Sequence, residues 1–358
     1  MPSLKEIKGR INSISSTLAI TSAMKMVAAA KLQKAQMAIQ NMLPYERRLH
    51  SMLIDLMGAM NISAAASEDG SVRGSGSAER GFDQSGDRLS LSNRHDLAGM
   101  DGAYSLMAQR EVRKVAIVAF ASNSSLCGAF NSNAIREATA VINEYRASGL
   151  GDADITVYSV GRKMAEAMKK LGFPSPADFT KMSDSPSYDA ASALAQELFD
   201  GFVSGRFDKV ELVYNHYKST SSQPTTRQTY LPLSLADATA DLQAGKIADS
   251  ASESDTNRGA ETVGAPVVRQ GSPTTEDLIV EPSKEALIAI LLPKVIRLRI
   301  FTTLLDSAAA EHAARTVAMQ LATDNGNDLL QELTLEYNKG RQQKITSEIL
   351  DLVGGSMQ

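Results

Sequence analysis

The chain opens with apolar or small residues that alternate spacings of three and four for more than fifty positions. Leu4, Ile7, Ile11, Ile14, Leu18, Thr21, Lys25, Ala28, Leu32, Ala35, Ile39, Met42, Glu46, Leu49, Leu53, Leu56 and Met60 all lie on this stripe. Such spacing marks the seam of a coiled coil rather than the wider face of a globular helix. A continuous helix of this length measures roughly 80 Å, about twice the width of a compact domain of a few hundred residues. Its partner must therefore be another long helix, and Ser283 to Leu352 supplies the pattern for one. There Ile288, Leu291, Val295, Leu298, Leu305, Ala309, Met319, Leu330, Leu333 and Tyr337 share a seam, which slips before Ile345, Ile349 and Leu352.

Local breakers modify this picture. Pro44 is expected to kink or split the first helix near Asn41, since it removes a backbone donor and crowds the preceding turn. Pro293 comes early enough in the last helix only to bend its first turns. Asp324-Asn325-Gly326-Asn327 is a poor helix former and predicts a weak point. Ser283 reads as the N-cap of the last helix, with Glu285 in its first turn.

Between the two long patterns the period changes. Val115-Ala116-Ile117-Val118-Ala119-Phe120-Ala121 is a short continuous apolar run, as in a strand buried on both faces. The patterns that follow predict helices over 131–147, 162–171 and 188–203 and strands over 155–160, 209–217 and 227–232. This alternation implies an open, three-layered α/β sheet of Rossmann-like type, with right-handed crossovers between its parallel strands. The fold class is thus a long antiparallel coiled coil of N- and C-terminal helices with an α/β sheet domain inserted between them. Residues 62–110 and 237–277 are rich in Ser, Gly, Asp and Ala without period and read as flexible insertions. The expected order is coiled-coil helix 1–61, insertion 62–110, α/β domain 111–236, insertion 237–277 and coiled-coil helix 278–358.

Composition narrows the function. The 358 residues are 43% hydrophobic and 22% charged, enough to bury a core, and no apolar run is long enough to span a bilayer. The start, Met1-Pro2-Ser3-Leu4-Lys5-Glu6, shows no signal-peptide pattern, as expected of a prokaryotic protein on the cytosolic side. A net charge of -4 argues against a nucleic-acid partner, although Lys25, Lys31 and Lys34 give the first helix a basic face suited to an acidic protein. Cys127 is the only cysteine, so no disulfide can form within the chain, and His50, His95, His216 and His312 have no metal-ligand spacing.

Ser122 to Asn131 and Gly161-Arg162-Lys163 each join a strand to a helix, where phosphate is often held. Neither has the Gly-x-Gly-x-x-Gly or Gly-Lys-Ser/Thr pattern, so turn geometry and helix capping explain them better. Ala23 to Leu32 is apolar nearly all round, which fits either burial on two sides or a Met-rich contact band for another protein. Tyr337 to Glu348 is dense in hydrogen-bond donors and reads as a solvated helix end or a patch for a partner's carboxylates.

Three stretches in this order resemble the gamma subunit of F-type ATP synthases. Ile20 to Ala29 is similar to that family's N-terminal signature. Ser125-Leu126-Cys127-Gly128-Ala129-Phe130-Asn131 resembles its central loop, with Ser125 in place of glycine. Glu311 to Met319, followed by Tyr337 to Ile349, looks like its closing signature. The resemblance implies a rotor shaft through a hexamer of α and β subunits, with an epsilon-type stalk subunit and a membrane c-ring as further partners. Catalysis would lie in β, and the chain would need no catalytic residue, cofactor, metal or small-molecule substrate of its own. It would sit peripherally on the cytoplasmic face of a bacterial inner membrane. By the same likeness, Met24, Lys25, Met26 and Val27 would lie near acidic lever arms of β, Arg341, Gln342 and Thr346 would face hexamer loops, and Arg315 would serve coupling. Two other readings stay open on sequence alone, a nucleotide-binding enzyme with a helical dimerisation arm and a coiled-coil adaptor.

Overall fold

The computed structural model describes residues 3–59, 106, 110–233 and 284–356. Helix α1 (Leu4–Ala59) and helix α6 (Lys284–Ser356) form the rod. At 1.5 Å per residue they run roughly 84 and 110 Å. Every expected seam position of α1 from Leu4 to Leu53 is buried or half-buried. The pairing is antiparallel. Glu46 meets Thr302, Leu32 packs on Ala309 and Ala313, Thr21 meets Thr323, Leu18 sits over Gly326, and Leu4 sits over Gly340.

Neither rod helix is split at the residues expected to disturb it. Helix α1 continues through Pro44, which lies on the exposed side. One lost backbone bond is outweighed by the seam on either side, where Leu49 and Leu53 are buried and Met42 packs against the core. Helix α6 likewise runs unbroken through Asp324 to Asn327. A Cβ on Gly326 would lie 2.6 Å from Leu18 Cδ2, so the glycine is the hole for a facing knob. One turn away, Thr323 and Thr21 join their hydroxyls across the seam at 3.0 Å. Ser283 lies outside the described residues, so its capping role does too.

The sheet domain follows the expected order with small shifts. Strand β1 (Val115–Phe120) leads to α2 (Phe130–Ala147), then to a single 3₁₀ turn, β2 (Ile155–Val160) and α3 (Arg162–Lys170). Then come α4 (Thr180–Asp184), which no periodicity announced, α5 (Tyr188–Val203), β3 (Lys209–Asn215) and β4 (Thr225–Leu231). The strand order is β2-β1-β3-β4, with β1 parallel to both neighbours and β4 antiparallel to β3. Alternate side chains of β1 fill two cores. Ala116, Val118 and Phe120 face α5 and the lower part of α6, while Val115, Ile117 and Ala119 face α2 and α3. The rod helix is therefore one layer of the domain, and sheet and shaft share a single hydrophobic core.

Most of the two expected insertions lies outside the described residues. Leu106 and Arg110 are described, and both belong to the sheet domain. Leu106 is fully buried and its carbonyl accepts from Leu233 N, while the Arg110 guanidinium donates to Phe202 O and lies over the Phe202 ring.

One charge is buried in the sheet. Burial alone would push the Glu211 carboxyl up, but bonds from Arg227, Lys209 and Tyr145 hold it below the ordinary range. Arg227 Nε donates at 2.7 Å, Tyr145 Oη at 2.6 Å, and Lys209 Nζ lies 2.7 Å away. This knot pins α2 to the β3–β4 pair.

Gly161 closes β2 onto α3 with φ +99, and a Cβ there would lie 2.0 Å from Ala121 O. Gly161→Ala should therefore destabilise the sheet domain by about 2 kcal/mol or more, from backbone strain and overlap together. Chemical unfolding of the purified chain measures this, and an unchanged midpoint would contradict the packing described.

Candidate functional site: the outward surfaces of the rod

Between Ile20 and Ala30 the exposed side of α1 is apolar where a solvated helix would be polar. Ile20, Met26 and Val27 are 60%, 65% and 58% exposed. Ile20, Ala23, Val27 and Ala30 fall at spacings of three and four on the side away from the seam, and all four are exposed. Of the four residues singled out in this band, Met24 and Lys25 are half-buried toward the seam, whereas Met26 and Val27 point outward. Lys31 and Lys34 flank the stripe with exposed charge. The structure thus resolves the all-round apolar character into one side packed on α6 and one side left exposed.

The end of α6 is the second such surface. Gly340 lies opposite Leu4, where α1 begins, so the sixteen residues from Arg341 to Ser356 extend past α1 by roughly 24 Å. Arg341, Gln342 and Thr346 are exposed there, with the Thr346 hydroxyl donating back to Gln342 O at 2.9 Å. Ile345, Ile349, Leu350 and Leu352 are exposed too, the last two at 65% and 75%. Their seam continues the pattern of α6 but meets no described part of α1.

Arg315 is placed differently from the other seven candidates. Only 9% exposed, it donates from Nη1 to Ser125 O at 2.7 Å and from Nη2 to Glu311 Oε1 at 2.6 Å. It ties the loop after β1 to the shaft, and its guanidinium is turned into the chain. Burial raises the Glu311 carboxyl pKa, and Arg315 opposes that rise.

The two loops with a phosphate-like setting tie several of their polar groups to one another. Ser122 N donates to Asn131 Oδ1 at 3.0 Å, and Asn131 Nδ2 donates to Ser124 O and Cys127 Sγ. Arg162 N, at the start of α3, donates to Asn123 Oδ1 at 2.8 Å, and the Arg162 guanidinium caps Asn123 O. Several donors at these turns are thus used in closing them.

Comparison with known proteins agrees with this geometry. A family model described as ATP synthase matches residues 3–357. The ATP synthase gamma chain of Phocaeicola vulgatus is 47% identical over 357 residues, covering 100% of each chain. The chain belongs to the ATP synthase gamma family. The gamma chain of Flavobacterium psychrophilum is 35% identical, covering 99% of this chain and 98% of its own. Among solved structures, a chain of the Euglena gracilis mitochondrial ATP synthase (OSCP/F1/c-ring) shares the fold at TM-score 0.52 and 18% identity, covering 99% of this chain and 93% of its own. As a member of the gamma family this protein is a non-catalytic central-stalk subunit of an F-type ATP synthase. The enzyme and adaptor readings are thereby set aside.

Sequence reasoning missed one cluster, formed by His216, Tyr217, Asp306 and Gln36 where the β3–β4 hairpin reaches the rod. His216 and Asp306 are ninety positions apart and follow no period, so no local pattern could have paired them.

The buried Glu311–Arg315 pair yields a prediction. Arg315→Ala should destabilise the chain by about 3 kcal/mol, because it leaves a carboxylate without its cation. Combining Arg315→Met with Glu311→Leu should recover most of that loss. Denaturant unfolding of the variants checks this, and purely additive losses would contradict it.

Proposed function

We propose that the outward stripe of α1 and the protruding end of α6 are the surfaces through which this stalk subunit sets the state of the α and β subunits. The observation supporting this most is the asymmetry of the rod. One helix outruns the other, and the apolar and basic side chains lie on particular sides of it. An axle of that kind presents a different face to each of three surrounding β subunits at any one angle. Differential contact gives each site a different nucleotide affinity, and rotation moves those affinities from site to site.

Met24, Lys25, Met26 and Val27 form the lower contact band, with Lys31 and Lys34 adding charge for acidic segments of β. Met side chains suit a surface that must slide against successive partners, since they repack at little cost. Arg341, Gln342 and Thr346 meet hexamer loops near the end of the shaft, and the apolar residues from Ile345 to Leu352 lie against an apolar collar there. Arg315 acts from inside the chain, keeping the loop after β1 in register with the shaft. The sheet domain rests on the membrane c-ring together with an epsilon-type stalk subunit, which makes the protein peripheral on the cytoplasmic face of a bacterial inner membrane. No described helix is long and apolar enough to cross a membrane.

A hydrogen bond involving a charged group contributes about 1.5–3 kcal/mol, so a few such contacts bias the open site without locking the axle. Arg341→Ala with Gln342→Ala should therefore lower the ATPase rate of the assembled complex severalfold while leaving assembly intact. Unchanged turnover would remove these residues from the contact surface.

A further inference from the structure

The β3–β4 hairpin extends past the C-terminal end of β3 and reaches both helices of the rod at one level. On α6, Asp306 uses both oxygens. Oδ1 accepts the Tyr217 backbone N–H at 2.9 Å, and Oδ2 lies 2.6 Å from His216 Nδ1. On α1, Gln36 Nε2 donates to Tyr217 Oη at 2.6 Å. The Tyr217 ring packs against Leu32, Ala309 and Ala313 of the rod and against Cys127, Phe130 and Ala310 where the sheet domain meets it. A single residue thus touches the sheet domain, α1 and α6.

Its placement gives that contact a mechanical meaning. Below this level α1 packs into the shared core through Leu49, Leu53 and Leu56. Above it the loop after β1 still touches α6 as far as Arg315 and Ala318, and only beyond that do the two helices run on as a bare pair. Turning the sheet domain therefore loads the junction between domain and pair, and a cross-tie at that junction resists slippage of α1 against α6.

We propose that Tyr217, with Asp306 and Gln36, is the cross-tie that makes sheet domain and both rod helices turn as one body, and so is a positioning element for coupling. The proposal rests on the central-stalk role and adds residues that neither the contact band nor the rod tip contains. It acts at a distance from the hexamer, so it governs transmission between ring and shaft rather than the chemistry of ATP hydrolysis.

When His216 is protonated the tie is partly ionic, which gives it a signature that packing lacks. The Asp306 carboxylate raises the His216 pKa, while burial and Lys218 oppose the rise; α1 contributes the neutral Gln36 to the neighbouring Tyr217. A histidine whose folded pKa lies above its unfolded value stabilises fully below the unfolded pKa of about 6.5. That stabilisation is lost as pH rises through the folded pKa.

The test uses the assembled complex in inverted membrane vesicles, reading ATP hydrolysis and ATP-driven proton uptake together. Asp306→Ala, and separately Gln36→Leu with Tyr217→Phe, should leave hydrolysis within about twofold and lower proton uptake per ATP severalfold. Unchanged uptake per ATP in both variants overturns the proposal. His216→Gln offers a milder probe that keeps the packing. Its uptake per ATP should fall short of the wild type at pH 6 and match it once pH exceeds the raised His216 pKa. A deficit equal at every pH would overturn the ionic tie. Should the wild-type chain not copurify with hexamer and ring, the shaft reading and this proposal would fall together, a result distinct from intact assembly with unaltered coupling.

Discussion

The seam between α1 and α6 is the constraint on which the rest of the structure depends. Two helices too long to be hidden in any compact domain can be stable in water only by covering one another, and the three-four alternation provides that cover from Leu4 to Leu53. Where the stripe contains Thr21, it is answered by Thr323, and where α6 has Gly326, the gap is filled by Leu18. Both helices run uninterrupted, through Pro44 and through Asp324 to Asn327, for the same reason. Packing energy summed along a seam of this length exceeds the local cost of one proline or one glycine.

A rod alone transmits nothing unless something turns it, and the sheet domain meets that need by sharing its core with the shaft. The lower part of α6 is a layer of the domain, with Ile288, Leu292, Val295 and Leu304 in the same cluster as Val118 and Phe120. The loop after β1 is fastened to the shaft by Arg315, and the β3–β4 hairpin by Asp306. Foot and axle are therefore continuous in packing as well as in chain. The free surface of the axle carries exposed apolar residues at Ile20, Val27 and Leu352.

Much of this was legible from residue order, and the remainder was hidden for identifiable reasons. Periodicity located both rod helices and the buried strands, since each pattern is repeated many times and is fixed by local geometry. The outcome at Pro44 and Gly326 depends on a partner some three hundred residues away, which no local pattern contains. Helix α4 is too short to show a period. The antiparallel direction of β4 is a matter of topology rather than composition. At the surface, the all-round apolar stretch from Ala23 to Leu32 signalled two buried sides or one buried side and one contact side. Only the placement of α6 against Lys25, Ala28 and Leu32 shows which side is buried and which is exposed.

That α1 and α6 turn together as one axle can be checked with a reversible cross-link across the seam. Cysteines at Thr21 and Thr323, whose hydroxyls lie 3.0 Å apart, with Cys127→Ser to remove the native thiol, place the bond in the middle of the rod. Oxidation of the assembled complex should link the two helices nearly completely and leave ATP-driven proton uptake unchanged, because the joined parts already move as one. Failure of the link to form, or a loss of uptake on oxidation that reduction restores, would contradict the account.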